Sequence, residues 1–286
     1  MPSTYAHYVF GKKVLQSLPP ELSALARGHR QLYDIGLHGP DILFYYRALT
    51  VNKVNSVGFG MHARPARGFF APAKQRLAAL PASLRAGAEA YLLGFVCHFA
   101  LDSACHGYIE HKIAVSGVTH TEIESEFDRS LLLAQGIEPL SARLTGHIVP
   151  SAENAAAIAP FFEGVSAKQV QKALRSMLFY NGLLRAPCRP KRFFVNAALR
   201  LTGNYKEMHG MMIAKKPVPA CADSNLRLLK LMNAAAGECV SLAENLSAYL
   251  GGTAELSPAF DKTFGAPENW REIPVLPLRE EEGYEV

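Results

Sequence analysis

The sequence predicts an all-α protein: a single-domain multi-helix bundle with a buried central helix carrying metal ligands and an irregular loop around 28–68. Three observations carry this expectation. Apolar residues recur at helical spacing through most of the 286 residues, while the alternation typical of strands is scarce. The stretch 83–112 is apolar almost all round, as befits a helix at the centre of a core. Recognisable helix start and stop signals bracket the other periodic stretches.

In chain order, 4–17 reads as a helix that stops before Pro19-Pro20. Gly, Pro and Asn concentrate between Gly28 and Gly68, which predicts irregular chain with short helical pieces, one starting after Pro40. The central helix follows over 83–112. Thr119, with Glu122 at the capping-box position, opens a helix through Ala134. Further helices are expected over 151–163, 166–184, 190–202 and 222–250, with Ser166 capping the second and Gly251-Gly252 ending the last. No repeat or low-complexity linker divides the chain. The domain is read as 1–256, with 257–286 as an extended tail, Pro-rich, containing the sole tryptophan Trp270 and the charged run Arg279-Glu280-Glu281-Glu282.

With 49% hydrophobic and 19% charged residues, the composition is that of a globular protein and not of a disordered one. The formal charge of +5 suits an anionic substrate or acidic surface without indicating a stable nucleic-acid complex. The first residues lack the apolar core and cleavage site of a secretory signal. The most apolar run, 90–101, is too short to cross a bilayer and contains His98. Five cysteines, an odd number without a CxxC pair, read as buried free thiols. Together these predict a cytoplasmic protein with no transmembrane segment.

Eight of the ten histidines fall in the first 120 residues. The sharpest pattern is His98-x3-Asp102-x3-His106, since residues four apart share one helix face. His120-x3-Glu124 repeats the spacing on the next helix, and Asp128 continues its face. One such pair alone is commonly a hydrogen-bonded core histidine or a surface ion pair. Here His98 and Asp102 sit among Leu92, Leu93, Phe95, Val96, Phe99 and Leu101, where a bare charge is costly to bury. A metal ion compensates the carboxylates and accounts for the repetition. Di-iron bundles use Glu-x-x-His together with more glutamates. The i, i+4 pairs and histidine excess of this chain favour Zn2+ instead.

These residues resemble the zinc-dependent phospholipase C family, which includes bacterial phospholipases C, the N-terminal domain of GPI-specific phospholipase D and, more distantly, the S1/P1 nucleases. The resemblance spans residues 3 to about 130. It rests on Ser3-Thr4-Tyr5-Ala6-His7, Gly39-Pro40-Asp41 followed by aromatics, Met61-His62 before Pro65, the His98/Asp102/His106 ladder, and His120 with Glu124, in the family's order. It implies two to three zinc ions. His98, Asp102, His62 and Asp41 would surround one; Asp102 would bridge to a second held by His7 and the N-terminal region; His106, His120 and Glu124 would hold a third. The family completes the His7 site with a free N-terminal amine, often of tryptophan, whereas this chain begins Met1-Pro2.

The implied activity is hydrolysis of a phosphate ester, as a phospholipase C-like phosphodiesterase using zinc-bound hydroxide, with Asp41 the candidate catalytic base or water orienter. The substrate would be a phosphate ester and, by the resemblance, a phospholipid. Two alternatives stay open: an S1/P1-like nuclease or phosphatase, and a non-catalytic helical protein stabilised by its metals. Eight side chains for three ions fall short of the twelve that closed shells would need, which favours open positions and catalysis. His38, close to Asp41, is a candidate to orient a ligand rather than be one. Asp34 rivals Asp41, but the Pro-Asp context favours Asp41. His111 reads as a solvated helix-end residue, and His29, His147 and His209 as structural or surface groups. Residues 150–250 carry no matched ligand and read as helices walling a cleft. Among them Arg189-Pro190-Lys191-Arg192-Phe193-Phe194, with Met211-Met212 and Lys215-Lys216 beyond, forms either a basic and apolar surface for peripheral membrane contact or a helix start packing both phenylalanines inward.

Overall fold

Proline, glycine and polar caps cut the chain into helices, which a computed structural model describes for residues 4–203, 205 and 209–286. The α-helices are α1 Thr4–Ser17, α2 Pro20–Gly28, α3 Arg30–Gly36, α4 Lys53–His62, α5 Arg67–Phe70, α6 Ala73–Ala79 and α7 Ala82–Ser116. There follow α8 His120–Ala134, α9 Ala152–Ile158, α10 Ala167–Leu184, α11 Arg189–Leu201, α12 Ala222–Gly251 and α13 Leu278–Gly283. Short 3-10 helices join them, among them Gly39–Tyr45. Among the described residues there is no strand, so the expected all-α bundle is the observed one. No helix among them is long and apolar enough to cross a membrane.

Helix α7 is the axis of the bundle. Its 35 residues span roughly 50 Å. From Ala90 through Asp102 every residue is buried, and the helix ends at Gly117, whose φ of 69° is the left-handed cap. Helix α3 lies directly on it through two glycines. A Cβ on Gly36 would sit 2.2 Å from the Tyr91 carbonyl oxygen, and one on Gly94 would sit 2.1 Å from that of Tyr33. Backbones this close leave room for no larger residue, and the contact sets the Gly39–Tyr45 segment against the middle of α7.

The short helical pieces expected within the irregular stretch 28–68 are α3, the 3-10 helix over Gly39–Tyr45 and α4. Asn52 caps α4 by accepting from the Val54 and Asn55 amides, while the Asn55 side chain accepts from the Asn52 amide. This is a capping box built from two asparagines, residues that otherwise read as turn formers. Farther on, the helix expected over 151–163 ends at Ile158 and tightens into a 3-10 turn over Ala159–Phe161, where Pro160 cannot continue an α-helix.

The C-terminal residues 257–286, expected to trail as an extended tail, are folded onto the bundle. Phe260 and Phe264 are fully buried and join the rings of Phe70, Phe95 and Phe99. Burying each contributes about 2 kcal/mol. Helix α13 is clamped by a two-pronged ion pair in which the Arg227 Nε and Nη2 donate to Glu281 at 2.8 and 2.7 Å. All five cysteines are free thiols; four are buried as expected, but Cys188 is exposed.

Candidate metal centre

Four elements bring six of the eight predicted ligands to one place. His7 lies on the first turns of α1, whose amides at Tyr5 and Ala6 donate to the Asp128 carboxylate of α8 at 3.0 and 2.8 Å. Asp128 therefore caps α1, as a carboxylate at a helix N-terminus should, and so anchors His7. Asp41 sits on the 3-10 helix, His62 at the end of α4, and His98, Asp102 and His106 on successive turns of α7. Gly39 allows the approach: its φ is +48°, and a Cβ there would fall 2.1 Å from His98 Cδ2.

Asp102 is the hub. Its Oδ1 lies 3.1 Å from His7 Nε2, and its Oδ2 lies 3.0 Å from His98 Nε2 and 3.6 Å from His62 Nε2. Asp41 completes the circle, 3.1 Å from His62 Nε2 and 3.5 Å from His98 Nε2. Beside this cluster, His120 Nε2 lies 3.0 Å from Glu124 Oε1, and the His106 and His120 rings are 5.4 Å apart. Three groups result: His7/His98/Asp102, Asp41/His62/His98 and His106/His120/Glu124, each with its ligand atoms within 4.8 Å of one another.

The donors fit a cation better than they fit each other. Asp41 Oδ1 and Oδ2, His98 Nδ1 and Nε2, Asp102 Oδ2, Glu124 Oε2 and His7 Nδ1 are buried without a hydrogen-bond partner. The imidazole–carboxylate approaches are close but misdirected for hydrogen bonds. Ligands of one tetrahedral zinc lie about 3.4 Å apart, within the spread of these approaches. Two imidazoles are also turned from behind. The other ring nitrogen of His106, Nδ1, is 2.6 Å from the Phe264 carbonyl oxygen, and that of His62 is 3.1 Å from the Gly58 carbonyl oxygen. Donation of Nδ1–H to these carbonyls leaves Nε2 as the lone-pair nitrogen that faces the centre, as metal-ligating histidines require.

The electrostatics are those of a metal-free cluster. Burial alone would discharge Asp102, but His98, His106, His62 and His7 hold its carboxyl well below the usual carboxylate range. Burial likewise opposes charge on His62, yet Asp41 and Asp102 push its imidazole up to about 11. Glu124 raises His120; Glu124, against its own burial, is lowered by His120 and His106.

Several sequence expectations resolve here. Asp34 pairs with Arg30 Nε at 2.6 Å and joins none of the three groups, leaving Asp41 in place. His38 is buried and pairs through Nε2 with His147 Nε2 at 2.7 Å. His147, read as a structural or surface group, is this partner. His111, read as a solvated helix-end group, instead meets the Ile273 carbonyl oxygen at 2.6 Å and the edge of Trp270. The N-terminal amine expected near His7 lies outside the described residues. Phe264 was not among the predicted site residues; a backbone carbonyl acting from a distant segment leaves no side-chain signature.

Glu124 forms part of the wall of a cleft with Thr4, Tyr45 and Thr121. Burial, with the Asp41 charge, pushes the Tyr45 phenol up to about 12, and Asn181 Nδ2 donates to its oxygen at 3.2 Å. The cleft continues past Leu144, Leu184 and Ile213 into a second hollow that reaches Arg185 and Arg192. Comparison of the chain with family models, curated proteins and solved structures finds no match in any of the three.

Proposed function

We propose that the protein is a zinc-dependent hydrolase of phosphate esters, and specifically a phospholipase C-like phosphodiesterase. One observation carries the reading: imidazoles and carboxylates from four separate elements converge on Asp102, with buried oxygens and nitrogens that no protein group satisfies. His98, Asp102, His62 and Asp41 would hold one ion, His7 with Asp102 a second, and His106, His120 and Glu124 a third. When bound, zinc supplies Lewis acidity toward a phosphoryl oxygen and brings the pKa of water to about 7.

The chain's own groups do the rest. Asp41 orients the attacking water and accepts its proton through a carboxylate with no hydrogen bond of its own. Tyr45, kept neutral, donates a hydrogen bond from the cleft wall beside Glu124 to an oxygen of the ester. The low exposure of Asp41, His98 and Asp102 keeps bulk water from these groups and strengthens the electrostatic interactions within the centre. The charge of Asp41, Asp102 and Glu124 would be outweighed once divalent ions were bound, and the centre would then attract an anionic diester.

The test is metal analysis of the purified protein beside hydrolysis of a phosphocholine diester, a phospholipid and single-stranded DNA. Zinc should co-purify, one diester class should turn over, and His98→Ala and Glu124→Ala should each lose metal and lower kcat/KM by about a thousandfold. Full zinc occupancy without turnover on any substrate would leave a structural metal site in place of an enzyme.

A further inference from the structure

Helix α11 turns its residues the wrong way round for a helix that ends at its own domain. It buries Val195 and Leu199 against Leu184, Ala186 and Met212, and leaves Phe193 and Phe194, its two largest side chains, 67% and 69% exposed. Of the two arrangements open for this segment, the one with both phenylalanines packed inward is therefore not the one adopted. Leu201 at its end is 88% exposed, and on neighbouring α10 Phe179 and Leu183 are 64% and 42% exposed. The two helices meet here, since Lys191 Nζ donates to the Gly182 carbonyl at 2.8 Å.

The charge is equally concentrated. Residues 185–216 contain eight Lys and Arg and one acidic residue, a formal +7, in a chain whose total is +5; the rest of the molecule is slightly acidic. Arg189, Arg200, Lys215 and Lys216 are exposed, and Arg192 Nη2 donates to the Ile213 carbonyl, which ties the Lys215-Lys216 segment to the start of α11. From these observations we infer that the α10–α11 face docks on the surface of an anionic lipid bilayer, with Phe193 and Phe194 entering the boundary between headgroups and acyl chains and the basic residues meeting the headgroups.

A bilayer fits this surface better than the other occupants. Aromatic side chains on an amphipathic helix with a basic rim are what interfacial binding uses. A single-stranded nucleic acid would use the basic rim and stack on aromatic faces, but it gains nothing from exposed Leu183 and Leu201. The cleft that starts at Glu124 runs toward the same face, to Arg185 and Arg192. Docking itself requires no turnover, so it stands or falls separately from the hydrolase reading.

Flotation of the full chain with vesicles tests it, using phosphatidylcholine alone and phosphatidylcholine mixed equally with phosphatidylserine. Binding should appear only with the mixed vesicles and weaken as salt is raised. Phe193→Ser/Phe194→Ser and Arg189→Glu/Lys215→Glu/Lys216→Glu should each weaken it by about a hundredfold, with circular dichroism and melting unchanged because the altered side chains are exposed. Three results would overturn the inference: no binding to either vesicle, variants that bind as the parent does, or variant-sensitive binding to an oligothymidylate in place of vesicles. Light scattering that shows a dimer abolished by Phe193→Ser/Phe194→Ser would overturn it as well, by assigning the face to a second copy.

Discussion

His38 and His147 show how a neutral pair can stand next to a charged cluster. Their Nε2 atoms are 2.7 Å apart, so one ring donates and the other accepts, and a proton on the Nε2 of the accepting ring would break the bond. Burial, and then the charges of Arg30 and Lys12, hold His147 down at about 3, while burial and the neighbouring His147, His7 and His98 keep His38 well below its ordinary value. Both folded-state values lie under those of the unfolded chain. Between about pH 3 and 6.5 the unfolded chain therefore binds more protons. Stability from this pair is complete above pH 6.5 and drains away as pH falls, at about 1.4 kcal/mol per pH unit for each proton. In urea unfolding of His147→Gln, the stability lost between pH 6.5 and 5 should be smaller than in the parent by about 2 kcal/mol. An unchanged loss would mean that His147 is protonated in the fold.

At the scale of elements, the C-terminal segment acts as a strap over the candidate metal centre. The Gly265 amide donates to the His62 carbonyl at 3.0 Å, the Phe264 carbonyl accepts from His106, and the Lys262 carbonyl accepts from the Ala66 amide. Two helices that carry candidate ligands are thus held by residues about 160 to 200 positions away, and the strap is itself fixed by the Arg227–Glu281 pair. Both partners are buried, with the Arg227 guanidinium also against the Tyr108 and Tyr284 rings. Removing one partner of such a buried pair costs about 3–5 kcal/mol, and Glu281 without Arg227 would keep only Lys230 Nζ, at 3.5 Å. Arg227→Met should therefore lower the melting temperature sharply, expose 257–286 to proteolysis, and weaken metal binding measured by competition with a chromophoric chelator. Normal metal affinity in a destabilised variant would show that the strap stabilises the fold without shaping the centre.

For the whole molecule, the candidate centre is an unusual interior: carboxylates and imidazoles packed together, with His120 raised by Glu124 and His62 held up at about 11, so that the His62 ring carries a proton at neutral pH. A metal ion must displace that proton to reach the nitrogen. Binding of Zn2+ to the stripped protein should therefore release at least one proton, visible in calorimetry as a binding heat that depends on the buffer, and affinity should rise with pH up to the onset of hydroxide precipitation. Removing metal with a chelator should lower the melting temperature, because binding energy realised only in the fold is folding energy. A melting temperature indifferent to chelator and zinc would count against any resident metal.

The sequence by itself determined the elements and most of the donor set. Helical periodicity, caps at Thr119 and Ser166, and the i, i+4 spacing of His98, Asp102 and His106 act over one or two turns, and so they leave a local trace that needs no knowledge of the fold. The same local logic left the bounds of the short helices in 28–68 open, because asparagine caps a helix as readily as it breaks one, and misread 257–286, because an irregular segment with buried phenylalanines looks like a tail until the surface it covers is known. Only the tertiary structure decided that Asp128 caps α1, that His38 faces His147, and that a carbonyl near the C-terminus turns His106. It also decided that Phe193 and Phe194 point outward. Each of these is a meeting of groups far apart in the chain or a choice of helix face, and such outcomes are set by what packs against what rather than by the residues immediately around them.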